Sequence, residues 1–100
     1  MSVVVRYNPV SLTKQKYDET VQRVNDEFGL GPSNPPDGCD YHVCFGTDGD
    51  LRVSEIWDSR EQWEAFGERL IPLLQEMGIN PGEPEVYDVH NIERREHATA

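Results

Sequence analysis

One hundred residues, 36% hydrophobic and 28% charged, describe an ordinary globular chain, long enough for one domain with a small core. A formal charge of −10, from 19 acidic against 9 basic residues, argues against nucleic acid as a partner, because the basic groups are scattered apart from adjacent Arg94 and Arg95. No apolar run reaches the ~18 residues a membrane helix needs, so no membrane association is expected, and MSVVVRYNP lacks the plan of a secretory signal, which makes the expected address cytoplasmic.

Val3 to Tyr7 is a β-branched run that Asn8-Pro9 closes, the expected β1. From Thr13 to Phe28, Tyr17, Val21, Val24 and Phe28 recur at helical steps among charged residues; this is α1, with Ser11 or Thr13 to cap its start and Gly29 or Gly31 to end it. GPSNPPDG, residues 31 to 38, is a stiff surface loop. Tyr41 to Phe45 alternates as β2, Thr47-Asp48-Gly49-Asp50 turns, and Leu51 to Trp57 returns antiparallel as β3. Cys39 and Cys44 lie five apart, so a strand sends them to opposite faces; with no CxxC pair, neither a disulfide nor a metal site is indicated. Ser59 with Gln62 forms a capping-box pattern, and Trp63, Phe66, Leu70, Leu73 or Leu74, and Met77 follow as α2, in which Pro72 predicts a kink or break near Leu70 to Ile71. Gly78 ends that helix, Asn80-Pro81-Gly82 turns, and Glu85 to Ile92 is β4; residues 94–100, which include His97, read as a flexible tail after a single domain over 1–93.

The order β-α-β-β-α-β is the split βαβ, ferredoxin-like arrangement of the α+β class: a four-stranded antiparallel sheet with both helices on one face. Both parities of its strands carry apolar residues: Val3 and Val5 against Val4, Val53 and Trp57 against Ile56. A second copy covering the other face, as a barrel-like homodimer, is the simplest way to bury them.

The element order, the passage VSEIWDSREQWEAF, the proline in ERLIPLLQEMGI and the ending YDVHNIE together resemble the dimeric α+β barrel proteins, the antibiotic-biosynthesis monooxygenase-like superfamily, over about residues 3–92. That resemblance implies a small enzyme acting on a hydrophobic, aromatic or polyketide-like molecule, as a cofactor-independent monooxygenase or a proton-transfer isomerase or cyclase. A non-catalytic binding or assembly protein of the same fold is the alternative. The haem-degrading branch uses an asparagine, a tryptophan and a helix-borne histidine; α2 holds no histidine, so haem is not implied. Neither a glycine-rich phosphate loop nor GxSxG nor HExxH is present, and no cofactor or metal is expected.

Several residues are candidates for chemistry. Glu55 and Trp57 share one face of β3, and an inward carboxylate needs a partner, for which Arg6 or Arg52 would serve; a structural ion pair at a dimer seam is the plainer role. His42 or His90, with Asp88 or Glu55, could form an acid–base pair, although a strand histidine also serves as a core or interface residue. If Tyr41, Val43 and Phe45 face the helices, His42 and Cys44 face a cavity between two sheets. Arg6 and Asn8 share a parity of β1 and could orient a carboxylate, phenolate or carbonyl, though Asn8 before Pro9 is also turn chemistry. Tyr7, Tyr41 and Trp57 could bind an aromatic ligand. The expected site is one largely apolar pocket per subunit, between sheet and helices or between the two sheets, lined by Asn8, His42, Trp57 and His90, with His42, His90 and Asn8 as catalytic groups and Arg6, Tyr7, Tyr41, Glu55 and Trp57 on the ligand.

Overall fold

The structure is a computed structural model that describes residues 1–95. β1 (Val3–Tyr7), α1 (Lys14–Phe28), β2 (Cys39–Thr47), β3 (Asp50–Trp57), α2 (Arg60–Glu76) and β4 (Glu85–Asp88) follow in the expected order. The strands form one antiparallel sheet in the order β2-β3-β1-β4, the ferredoxin-like topology. No helix among the described residues is long and apolar enough to cross a membrane.

Local chemistry sets the boundaries. Thr13 caps α1, its hydroxyl accepting from the Lys16 N–H at 3.1 Å, and Gly29 ends the helix with φ 68°, its N–H reaching the Asn25 carbonyl at 3.0 Å. The β2–β3 turn places Gly49 at φ 87°, and Asp48 Oδ1 there accepts the Lys14 N–H at 2.9 Å, tying α1 to the hairpin end. At Ser59 the hydroxyl accepts from the Gln62 N–H at 3.2 Å and donates to Gln62 Oε1 at 2.9 Å, starting α2.

Two expectations about the elements change. α2 runs through Pro72 as one helix, without the break, the stronger of the two expected effects; that residue and Glu68, whose carbonyl loses a donor, are both exposed, so water can replace the lost bond. β4 stops at Asp88 rather than Ile92, with Val89 still donating to the Ser2 carbonyl at 2.9 Å, and His90 lies in an exposed bend. Of the expected tail, Arg94 and Arg95 adopt no regular structure, Arg94 pairs with Asp40, and His97 lies outside the described residues.

The core lies on the helix side of the sheet. Val3 (2% exposed), Val5 and Trp57 (both 0%) form its centre, with Tyr7, Trp63, Phe66 and Val86 packed against it, and Trp57 meets Phe66 with ring centroids 5.7 Å apart. Burying such side chains contributes roughly 1.5–3 kcal/mol each. Packing is uneven, however: α2 buries Leu73, whereas among the described residues no side chain of α1 is buried. On the opposite face, Tyr41, Phe45 and Tyr87 are exposed beside half-buried Val4, Val43 and Ile56.

Candidate active site

Strand register determines which side chains meet. β1 pairs Val5 with Glu55 and Val3 with Trp57, and β2 pairs His42 with Glu55, so these residues share the helix face. A register shift at Asp40 puts Cys39 opposite Trp57 and Tyr41 opposite Ile56. The conditional expectation therefore inverts: Tyr41, Val43 and Phe45 occupy the other face, and His42 and Cys44 point toward the helices. Buried Leu51, Val53, Glu55 and Trp57 set this parity, and the hairpin carries β2 with it.

Glu55 is buried, 7% exposed, and both its oxygens are engaged: Oε1 accepts from Trp57 Nε1 at 3.0 Å, and Oε2 lies 2.7 Å from His42 Nδ1. Its expected arginine partners are not there, because Arg6 pairs across from Ser54 and Arg52 from Phe45, on the opposite face. A buried carboxylate accepting two N–H groups meets the requirement that charge removed from water be hydrogen-bonded. A carboxylate at Nδ1 makes that nitrogen the donor, which leaves the lone pair of the neutral ring on Nε2. At Nε2 stands the hydroxyl of Tyr17, 2.7 Å away, with the two rings stacked 6.1 Å apart at 18°. The result is a continuous chain Trp57–Glu55–His42–Tyr17 running from core to cavity.

The cavity, of about 480 Å³, lies between α1, α2, the 31–36 loop and the helix face of the sheet. Val21, Val24, Leu30, Phe66 and Leu70 give it mostly apolar walls, and its formation follows from α1 standing off the sheet. Among the described residues its lining holds no lysine or arginine, while Glu55 and Asp40 are both on it. Burial pushes the Tyr17 phenol up to about 12, with Cys44, Glu55 and Asp18 adding in the same direction. Tyr7 is also pushed up to about 12 by burial, against the lowering effect of the Trp63 Nε1–H donated to its oxygen at 2.7 Å. Burial raises the Cys39 and Cys44 thiols too, and both cysteines are free.

Of the residues singled out in the sequence, Tyr7, His42, Glu55 and Trp57 meet at this cavity, while Tyr41 borders it beside the register shift although its strand position is on the opposite face. Arg6 and Asn8 line a separate, small hollow of about 80 Å³ with Arg52 and Glu85, and His90 borders neither. Sequence reading missed Tyr17, whose helical spacing looked like core. The β2–β3 turn held a usable signal for the central pair: counting outward from a two-residue Asp48-Gly49 loop sets Thr47 against Asp50 and His42 against Glu55. No three His, Cys, Asp or Glu side chains among the described residues cluster as metal ligands.

No family model matches the chain, and no curated protein matches it. Solved structures do. SnoaB, a cofactor-independent oxygenase from Streptomyces nogalater, superposes with a TM-score of 0.58 at 11% identity, over 91% of this chain and 93% of that one. A proposed antibiotic biosynthesis monooxygenase from Deinococcus radiodurans gives 0.55 at 13%, over 97% and 100%. Foldit4, a de novo designed protein, gives 0.52 at 17%, over 87% and 94%. At such identities the likeness is one of fold: the chain has the ferredoxin-like fold of the antibiotic-biosynthesis monooxygenase-like structures. A designed protein shares that fold, so activity must be argued from the site.

Proposed function

We propose that the protein is a small-molecule enzyme in which His42 removes a proton from a hydroxyl or activated C–H of a hydrophobic, aromatic or polyketide-like substrate. The observation that carries this reading is the buried Glu55 carboxylate on His42 Nδ1, which leaves Nε2 as a base opening on an apolar cavity. Glu55 fixes the tautomer and stabilises the imidazolium formed when Nε2 takes the proton. Trp57 holds the other carboxylate oxygen, so Glu55 cannot rotate away without leaving a buried indole N–H unpaired.

Proton removal from a phenol or enol is the opening step of both reactions the fold suggests, cofactor-independent oxygenation with dioxygen as co-reactant and isomerisation or cyclisation. The fold likeness to SnoaB, a cofactor-independent oxygenase, supports the first. The same reading includes a homodimer through the sheet face that bears exposed Tyr41, Phe45 and Tyr87. Asn8, Arg6 and His90 have no part at the cavity in this proposal.

The test is turnover of neutral phenols and enolisable β-dicarbonyls in deuterated buffer, read as deuterium incorporation and as oxygen uptake. His42→Ala is expected to lower either rate by about 10²–10⁴-fold, the usual worth of a positioned base. Equal rates in the two proteins would refute the assignment, and saturable binding without turnover would make the protein a binding module.

A further inference from the structure

Tyr17 is the one member of the hydrogen-bonded chain that sits on a loosely held element. We propose that Tyr17 is a specificity-determining gate: its phenol holds the acceptor position at His42 Nε2, and a ligand hydroxyl reaches the base only by displacing it, so the cavity admits neutral molecules that carry a hydroxyl. The inference rests on the reading of His42 as the base of this cavity.

Competition follows from valence. With Nδ1 committed to Glu55, the neutral imidazole has a single in-plane lone pair, at Nε2, which takes one well-aligned donor. Tyr17 is that donor at 2.7 Å, and a ligand hydroxyl at the same place excludes it.

Displacement is inexpensive because α1 is held mainly from outside. Its ties include the Lys14 N–H to Asp48, Arg23 to Glu76 at 3.2 Å and the Arg69 guanidinium over the Phe28 ring at 4.4 Å, near the surface, and one half-buried contact, the Thr20 hydroxyl on Met77 Sδ at 3.6 Å. Exposed pairs of this kind hold little, and among the described residues α1 buries no side chain whose removal would open the core. Rotating the Tyr17 ring off His42 therefore disturbs far less than moving Trp57 or Val5 would.

Selection follows from charge and from the acceptor at Nε2, where only a ligand carrying a hydrogen-bond donor can take the place of the Tyr17 hydroxyl. A ligand must also arrive uncharged, because the Glu55 carboxylate faces the cavity and the described lining residues include no lysine or arginine to hold an anion, Asp40 being already paired with Arg94.

The probes are 1-naphthol, 1-methoxynaphthalene and 1-naphthoate, titrated by NMR into the full chain, Tyr17→Phe and His42→Ala at a pH where naphthol is neutral. Tyr17→Phe keeps the ring and removes only the competing hydroxyl. It is expected to bind naphthol about three- to tenfold more tightly than the parent, the worth of one hydrogen bond no longer broken. The methyl ether, which cannot donate, should bind both proteins alike, and naphthoate should bind each more weakly than naphthol. Naphthol binding that is unchanged or weakened in Tyr17→Phe, while still lost in His42→Ala, overturns the gate and leaves the base intact. Equal naphthol binding by the parent and His42→Ala overturns both. Naphthoate binding as tight as naphthol overturns the selection for neutral ligands.

Discussion

Replacing Glu55 by glutamine tests the centre of the site with almost no change of shape. The parent carboxylate accepts twice, from Trp57 Nε1 at 3.0 Å and from His42 Nδ1 at 2.7 Å. An indole N–H can only donate, so the new amide oxygen must turn to Trp57, which aims the amide NH₂ at His42. Two donors would then face each other unless the imidazole moves its proton to Nε2. That move retains both bonds as neutral ones. Charged hydrogen bonds contribute ~1.5–3 kcal/mol and neutral ones ~0.5–1.5, so the loss of stability should be about 1–3 kcal/mol in all. A buried donor left unpaired would add ~1–3 kcal/mol, which favours the tautomer change. The consequence for chemistry is larger, because Nε2 now carries a proton and cannot act as a base, and turnover should fall by about 10²–10⁴-fold. A long-range ¹H–¹⁵N spectrum of His42 reads the tautomer, and urea denaturation reads the stability. Glu55→Gln with the proton still on Nδ1 and turnover within a few-fold of the parent would refute the reasoning.

Three further outcomes follow from the geometry. Tyr7 and Tyr17 keep their protons up to about 12 in the fold against an ordinary value of ~10 in the unfolded chain. Their contribution is therefore complete below ~10 and lost as pH rises from there through about 12, so urea midpoints should fall across that window, and fall less steeply in a Tyr7→Phe, Tyr17→Phe double variant; an equal fall in both would contradict the shifts. Ser59→Ala removes the hydroxyl that accepts the Gln62 N–H and should cost about 1 kcal/mol in the same assay, with turnover unaffected; no loss of stability would show that Ser59 does not cap α2. Phe45→Glu places a charge on the exposed sheet face and should shift sedimentation from dimer to monomer; a monomeric parent, or a variant that stays dimeric, would remove that face as the interface.

Most of the scaffold was legible because its signals are local. Thr13, Gly29, Asp48-Gly49 and Ser59 each act within a few residues, and each sits where turn or cap chemistry places it. The shared face of Glu55 and Trp57 likewise needs only the strand period. Which face that is was not legible, because Val3, Val5 and Val4, or Trp57 and Ile56, offer apolar residues on both parities, and packing against α2 breaks the tie. The partner of Glu55 depended on strand pairing: Arg6 and Arg52 stand at positions of the opposite parity, and the histidine across the hairpin holds the place. Tyr17 was hidden for the opposite reason. Its spacing with Val21 and Val24 is that of an ordinary core stripe, and only the distance between α1 and the sheet turns that stripe into a cavity wall with a hydroxyl on His42.

The most direct measurement is a crystal structure of the protein with 1-naphthol. The account predicts the naphthol oxygen within about 3 Å of His42 Nε2, Glu55 still on Nδ1, and the Tyr17 hydroxyl moved off the ring. A naphthol bound elsewhere, on the exposed sheet face or in the small hollow beside Arg6 and Arg52, with the Tyr17–His42 bond intact, would contradict it.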